Sequence, residues 1–494
     1  MESLWLSTAP PIPSDSFIPS EEYDVVVAGA GLTGLASALF LARRGQKVAV
    51  LEARQVGAVT SGNTTAKVSL LQGLQLSGIA SHHGADAVRD YVNANRAGQD
   101  WLLRFCRDHG VDHDIRTAYT YALSEKGRQS LDSEFSAATA AGLSPQMTRE
   151  TELPFEVSGA LDLSGQAQIH PLQALAALAA ELRTAGGTLI QGTRVTGAGK
   201  AADNRVRILT PSGSVSARHL ILATGIPILD RGGYFARLLP LRSYAMAHPV
   251  RGAVPEGMYL SVDSPSRSLR TARAGGTDYL ISGGNGHTVG RHEHPQSLVD
   301  DLSRWTTDNF AVADPTYAWS AQDYAPASGV PYVGQVPFGD GSIFAATGFN
   351  KWGMTNAVAA ALAISQAIAP AGESDAAQNW YQPKLSSRDV LTAVRDNAEV
   401  GLEMLAGWAS SLAGTDESAP PEGQGKVVRK NLKPVGICTV DGKTSKVSAV
   451  CPHLGGVLAW NDAEASWDCP LHGSRFTADG TLLEGPAVRG LDRG

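Results

Sequence analysis

Tyr23-Asp-Val-Val-Val-Ala28 runs directly into Gly29-Ala-Gly31-Leu-Thr-Gly34. After a helical stretch to Arg44 the chain continues as Lys47-Val-Ala-Val-Leu51-Glu52. The first run is apolar and β-branched, as expected of a parallel strand buried on both faces. Glycines in this spacing allow a tight turn, close approach of backbone to a pyrophosphate, and close packing of helix on strand. The helix N-terminus then faces the phosphates, and Glu52, ending the second strand, is placed to accept ribose hydroxyls. A glycine motif alone could be a structural loop. Strand, motif, helix, strand and acid in this order read as a dinucleotide site built on Gly29, Gly31, Gly34 and Glu52.

At 494 residues the chain is too long for one ordinary domain. Its hydrophobic content of 43% supplies buried cores, and a net charge of −7 gives no basic footprint for nucleic acid. No apolar run approaches the ~20 residues that span a bilayer. Met1-Glu2-Ser3-Leu4-Trp5 is not the start of a signal peptide. The sparse use of cysteine fits a reducing compartment, so the expected location is cytoplasmic.

Two further segments carry metal chemistry: Cys451-Pro-His453-Leu-Gly and Cys469-Pro-Leu-His472-Gly-Ser. Each offers one thiolate and one imidazole from a tight Pro/Gly turn. That is the ligand set of a Rieske [2Fe–2S] cluster, in which two cysteines hold one iron and two histidines the other. Cys451, His453, Cys469 and His472 could also hold tetrahedral zinc. The usual zinc spacings pair like with like, whereas each loop here supplies one of each. Cys106 and Cys438 read as small buried apolar residues.

Three later segments argue for FAD rather than NAD. Thr193-Arg-Val195 resembles the strand that lends its backbone to adenine in two-dinucleotide-type flavoproteins. His219-Leu-Ile-Leu-Ala223-Thr224-Gly225 resembles the strand that closes their FAD domain. Gly348-Phe349-Asn-Lys351-Trp-Gly353-Met354-Thr355 precedes an Ala-rich helix whose N-terminal dipole would stabilise negative charge on a reduced flavin. With Ser61-Gly-Asn-Thr64-Thr65-Ala-Lys67, Trp319-Ser-Ala-Gln-Asp323 and Gly329-Val-Pro-Tyr-Val-Gly334, residues 20–370 resemble the D-amino-acid oxidase, glycine oxidase and sarcosine oxidase superfamily. The whole chain resembles the bacterial branch of it that carries a C-terminal Rieske domain.

The resemblance implies an α/β FAD lobe of the two-dinucleotide-binding type, a mixed antiparallel substrate lobe, and a small all-β Rieske domain. Residues 1–412 are expected to form the FAD-dependent unit. Its FAD lobe is expected at about 20–105, 170–240 and 330–372, and its substrate lobe at about 106–169 and 241–329. A polar linker, 413–425, is expected to join it to a Rieske domain at 426–494, with 379–412 mostly helical. The FAD contacts carried over are Gly29, Gly31, Gly34, Glu52, Thr64, Thr65, Val195, Ala223, Thr224 and Gly225. From the glycine-rich turn come Gly348, Phe349, Lys351, Gly353, Met354 and Thr355.

The chain also departs from these relatives. Ser320, Ala321 and Gln322 stand where some sarcosine oxidases attach flavin through cysteine, and Ala66 stands where dimethylglycine dehydrogenases use histidine, so non-covalent FAD is expected. The strand Asp278-Tyr-Leu-Ile-Ser-Gly-Gly284 lacks the lysine that promotes reaction with oxygen, pointing to a dehydrogenase. Lys351 is read either as lying near the flavin pyrimidine or as a solvated loop lysine. Substrate contacts are expected from Arg242 and Arg270 as carboxylate clamps and from Tyr244, each with an ordinary surface role as the alternative. His287, Arg291 and Asp323 are lesser candidates. Ser474 can donate toward a cluster sulfur, but Phe476 and the absence of a loop disulfide imply a potential low in the range of roughly −150 to +300 mV.

The resulting expectation is oxidation of a C–N bond in a small amine, N-methyl amine or amino acid. Hydride passes to FAD and electrons leave through the cluster to an external acceptor such as a ferredoxin, or to O2. Two alternatives stand beside it: a reductase or monooxygenase in which the cluster feeds the flavin, and a non-catalytic electron-transfer module.

Overall fold

The computed structural model describes residues 1–337, 339–370, 408 and 416–493. Val25, Val26 and Val27 are fully buried within the strand Glu22–Ala28. Side chains on both faces of that strand are covered, which places it centrally in a mostly parallel sheet. Gly213–Leu222 and Val48–Leu51 flank it in parallel, and Ile343–Thr347 and Thr188–Ile190 extend the sheet outward, also in parallel. Antiparallel Tyr332–Gln335 closes one edge. The helix Leu32–Arg43 is rich in Ala and Leu and buried along almost its whole length. It packs against the helix Gly353–Ile368, so both helices whose N-termini follow glycine turns lie side by side.

A nine-stranded mixed sheet forms the second layer. One side of it is antiparallel, with Tyr317–Pro326 at the edge followed by Leu238–Pro249, Thr277–Thr288 and Arg267–Ala274. Lys67–Val68 pairs with Gly159–Ile169 at the far edge. This corrects the expected lobe boundary, which assigned 20–105 to the FAD lobe. The chain leaves the first sheet after Leu51, and Trp5 and Trp319 pin the crossing through indole hydrogen bonds to the Thr64 and Asn63 carbonyls.

The C-terminal part is all-β. Gly425–Lys430, Lys433–Val440 and Lys443–Ser448 form one antiparallel sheet, and four short strands from Ala459–Asn461 to Leu482–Glu484 form another. Trp467 and Phe476 are fully buried in the core, together with Cys438. The strand Gly425–Lys430 begins on the last residue of the expected linker. The helical stretch expected at 379–412 lies outside the described residues except for Trp408. Among the described residues no helix is long and apolar enough to cross a membrane.

Candidate flavin and cluster site

A cavity of about 340 Å³ runs between the two large sheets, within the range of natural ligand pockets. Its first end is the glycine loop. Gly29 has φ +103°, and a Cβ there would lie 2.5 Å from the Ala223 carbonyl oxygen. One on Gly34 would lie 1.9 Å from the Gly29 oxygen, so Gly34 seats the helix on the loop without lining the cavity. Glu52 accepts from the Ala30 and Arg54 N–H groups, each at 2.8 Å. Burial raises its pKa, while those N–H groups and Arg194 act against the rise. The carboxylate thus braces the loop it was expected to serve and keeps lone pairs for ribose hydroxyls.

The cavity continues past Val195, past Ala223, Thr224 and Gly225, and past Thr64 and Thr65. It then reaches the turn of Gly348, Phe349, Lys351, Gly353 and Met354. Thr355 is a correction: its hydroxyl donates to Asn95 Oδ1 at 2.6 Å and accepts from Gln72 in a buried polar network outside the cavity.

The substrate end departs furthest from expectation. Lys351 stands at φ +71°, an uncommon conformation for a side chain of its size, with its N–H taken by Asp323 Oδ2. The amine reaches the second sheet, where a Cβ built on Gly286 would lie 2.8 Å from Lys351 Nζ and 3.1 Å from Ser243 Oγ. The strand Thr277–Thr288 has no lysine of its own, yet the opposite lobe delivers one to it. Burial lowers the Lys351 pKa against the pull of Asp323. Burial also raises Asp323 to about 6, against the Tyr324 and Lys351 N–H groups and the lysine charge.

Neither arginine is a free carboxylate clamp. Arg242 is 3% exposed and is not part of the cavity wall. Its guanidinium bonds Glu464 through two nitrogens, Glu484 at 3.0 Å, and Ser320. Arg270 donates to the carbonyls of Thr65, Ala66 and Ile169 and lies 5.1 Å over the Trp5 ring. Both were expected at the substrate because the sequence shows the strand but not what packs on it. Tyr244 touches the cavity wall, but its ring stacks on His287 and clusters with Val299 and Leu302 of the helix Pro295–Asn309. Its buried hydroxyl has no hydrogen-bond partner among the described residues. The residue missed is Lys67, whose Nζ donates to Tyr259 O at 2.6 Å and Ser268 Oγ at 2.7 Å beside the cavity. Burial, reinforced by Arg270, lowers it to about 7.

The two Cys/His loops face one another. Each closes on itself, Cys451 N to Gly456 O and Cys469 N to Ser474 O, both at 2.8 Å. The Cys451 thiol is lowered to about 7 by the Cys469 thiol, with the His453 and Leu454 N–H groups and Ser474 assisting against burial. The His453 and His472 rings lie 5.2 Å apart at 84°. The four side chains form a thiol pair, Cys451 with Cys469, and an imidazole pair, His453 with His472, the division a two-iron cluster demands. Among the described residues the buried His472 Nδ1 has no hydrogen-bond partner, an orphan acceptor that a ligated iron would satisfy.

The C-terminal domain is seated on both lobes. Arg475 bonds Glu464, Asp468 and Glu484, completing with Arg242 a buried group of two cations and three carboxylates. Arg242 and Arg475 hold Glu464 well below the usual carboxylate range despite its burial. Gln322 donates to Gly473 O and to Tyr324 Oη, each at 2.8 Å, linking a cluster loop to the cavity wall. Phe235 meets both cluster histidines edge-on, and Asp230 pairs with His453 Nε2 at 3.0 Å. Leu483, Glu484 and Gly485 line the flavin cavity itself.

Residues 24–367 match the FAD dependent oxidoreductase family, DAO. The chain belongs to that family. Residues 412–493 match the Rieske [2Fe-2S] domain. A Bacillus subtilis (strain 168) chain named as a Rieske 2Fe-2S iron-sulfur protein, YhfW, is 31% identical over 502 residues, spanning 99% of this chain and 97% of that one. Among solved structures, glycine oxidase from Geobacillus kaustophilus superposes with a TM-score of 0.59 at 18% identity, covering 71% of this chain and 95% of that one. L-proline dehydrogenase from P. horikoshii gives 0.57 at 16% identity, covering 71% and 93%. These likenesses share the mixed α/β fold. This DAO-family oxidoreductase therefore uses FAD and a [2Fe–2S] cluster, and the glycine cradle and paired loops fit the two groups.

Proposed function

We propose that this chain oxidises a C–N bond of a small amine, N-methyl amine or amino acid, and passes the electrons from FAD to the cluster of the same chain. The carrying observation is the seat of the C-terminal domain: Leu483, Glu484 and Gly485 form part of the flavin cavity wall, and Gln322 ties that wall to the loop bearing Cys469 and His472. When bound, FAD supplies a hydride acceptor and the cluster a one-electron relay. For a primary or secondary amine, imine formation would give a hydride to FAD and the nitrogen proton to solvent; the two electrons would then leave singly through the cluster to an external one-electron acceptor of ferredoxin type, with the hydride's proton released to solvent. The reading of the substrate as an amine or amino acid is supported by the fold shared with glycine oxidase and L-proline dehydrogenase. That support is an analogy of fold rather than of site.

The chain's own residues position and exclude. Asp323 fixes the left-handed Lys351 turn, and Lys351 brings a cation across to Ser243 and Gly286. The C-terminal strand forms part of the cavity wall, and hydride transfer from an amine relies on alignment more than on a strong base.

The test is anaerobic mixing of the loaded protein with a panel of amines and amino acids. Flavin bleaching should be followed by the reduced-cluster electron-paramagnetic signal, at a rate independent of protein concentration. Bleaching without a cluster signal, or a rate that rises with concentration, would refute transfer within one chain. Reduction by a reduced ferredoxin but by no amine would reverse the electron flow.

A further inference from the structure

The substrate lobe brings to the cavity a cation, Lys67, that no carboxylate among the described residues bonds. Among the described residues Lys67 contacts no carboxylate; its two hydrogen bonds go to neutral oxygens, Tyr259 O and Ser268 Oγ. The charge that acts on it is a second cation, Arg270, whose own hydrogen bonds go to backbone carbonyls and whose charge is offset by Asp114. Lys67 is left as a desolvated cation with no acid bonded to it among the described residues, an arrangement that an anion would stabilise. Lys351, across the cavity, has Asp323 beside it and needs no such partner.

The floor next to Lys67 is open. Ser268 pairs with Gly283, and Gly283 with Ala245, so three neighbouring strands present small residues in a row across the cavity. An ammonium carries three donors, of which two are used here. Ser268 Oγ accepts from Lys67, and among the described residues it donates no hydrogen bond, which leaves its proton free. One N–H and one O–H thus remain side by side, matching the two oxygens of a carboxylate.

We propose that Lys67 and Ser268 together bind the substrate's carboxylate and make the site specific for amino acids over simple amines. This rests on the C–N oxidation reading above and names the pair that does the work expected of Arg242 and Arg270. The site would take α-amino or N-alkyl amino acids small enough to lie over Gly283.

The test uses the FAD- and cluster-loaded full chain with a non-oxidisable probe pair, benzoate and benzamide. Binding is followed by perturbation of the flavin absorption band and by calorimetry. Benzoate should bind and benzamide should not. Lys67→Met should weaken benzoate by about tenfold or more, the loss of one charge-assisted hydrogen bond, and Lys67→Arg should recover part of it. Ser268→Ala, which keeps the charge, should weaken benzoate less. Unchanged benzoate affinity in a Lys67→Met protein that still holds FAD would overturn the proposal, as would a changed flavin potential with unchanged benzoate binding. If Lys67→Met fails to hold FAD, Lys67→Gln and Ser268→Ala carry the same comparison. Benzoate binding that depends on Lys67, with no amino acid bleaching the flavin, leaves the clamp standing and removes the C–N reading. Amino acids bleaching Lys67→Met and the natural protein alike does the reverse.

Discussion

Arg242→Met changes a buried charge balance that can be worked from the structure. Arg242 and Arg475 face Glu464, Glu484 and Asp468, two cations against three carboxylates. Removing Arg242 leaves one cation against the same three acids. No carboxylate is orphaned, since Arg475 still bonds each of them, but Glu464 loses two hydrogen bonds and Glu484 one. Breaking a buried ion pair from one side costs about 3–5 kcal/mol, and the surviving cation puts the expectation at the lower end. About 3 kcal/mol is a shift of roughly a hundredfold in the equilibrium between seated and unseated C-terminal domain. Amide hydrogen exchange reads such sub-global opening directly. The amide of Gln296, which donates to Asp462 Oδ1 across the seat at 2.9 Å, should lose about a hundredfold of protection while the FAD and iron contents stay normal. A cycle with Glu464→Gln should show coupling, because the two residues share bonds. Unchanged exchange in Arg242→Met, with impaired substrate binding instead, would refute the interdomain role and restore the carboxylate clamp.

Three further outcomes are expected. Gly473→Ala places a Cβ 2.6 Å from Pro240 Cβ at a residue with φ +75°, so it should unseat the domain, read as new protease cleavage between the lobes and the C-terminal domain; resistance equal to the natural protein would contradict this fit of loop to lobe. Asp230→Asn removes the negative partner of His453 and should raise the cluster midpoint by tens of mV in a redox titration, ~60 mV corresponding to 1.4 kcal/mol for one electron; an unmoved midpoint would separate Asp230 from the cluster. Glu464 is held below the usual carboxylate range, so its contribution is fully present above the unfolded carboxylate pKa and is lost only as pH falls through its lower folded value. Protection at the seat should therefore be flat from about pH 5 to 8; loss of protection near pH 6 would point to a different group.

The parts legible in the sequence are those in which the backbone itself dictates residue identity. Gly29 and Gly34 have no space for a Cβ, and each metal loop carries its ligands within a few residues of a turn. These are local constraints, so reading order along the chain is enough. The roles of Arg242 and Arg270 are not legible in this way, because a strand arginine takes its role from whatever packs against it. For Arg242 that partner is Glu464, 222 positions away. Lys67 does not stand out in its own stretch of sequence, since its charge becomes unusual only once the fold buries it and brings Arg270 to bear on it. Lys351 shows the converse. A glycine at 286 in a strand interior signals close approach by another element, and it is there that the lysine from the opposite lobe comes within 2.8 Å of a built Cβ.

The strand Leu482–Glu484 belongs to the Rieske domain, yet it helps enclose a cavity begun at Gly29 in the FAD-dependent unit. Flavin retention and docking of the C-terminal domain are thereby coupled: whatever lifts that strand also removes part of the wall around the FAD cradle.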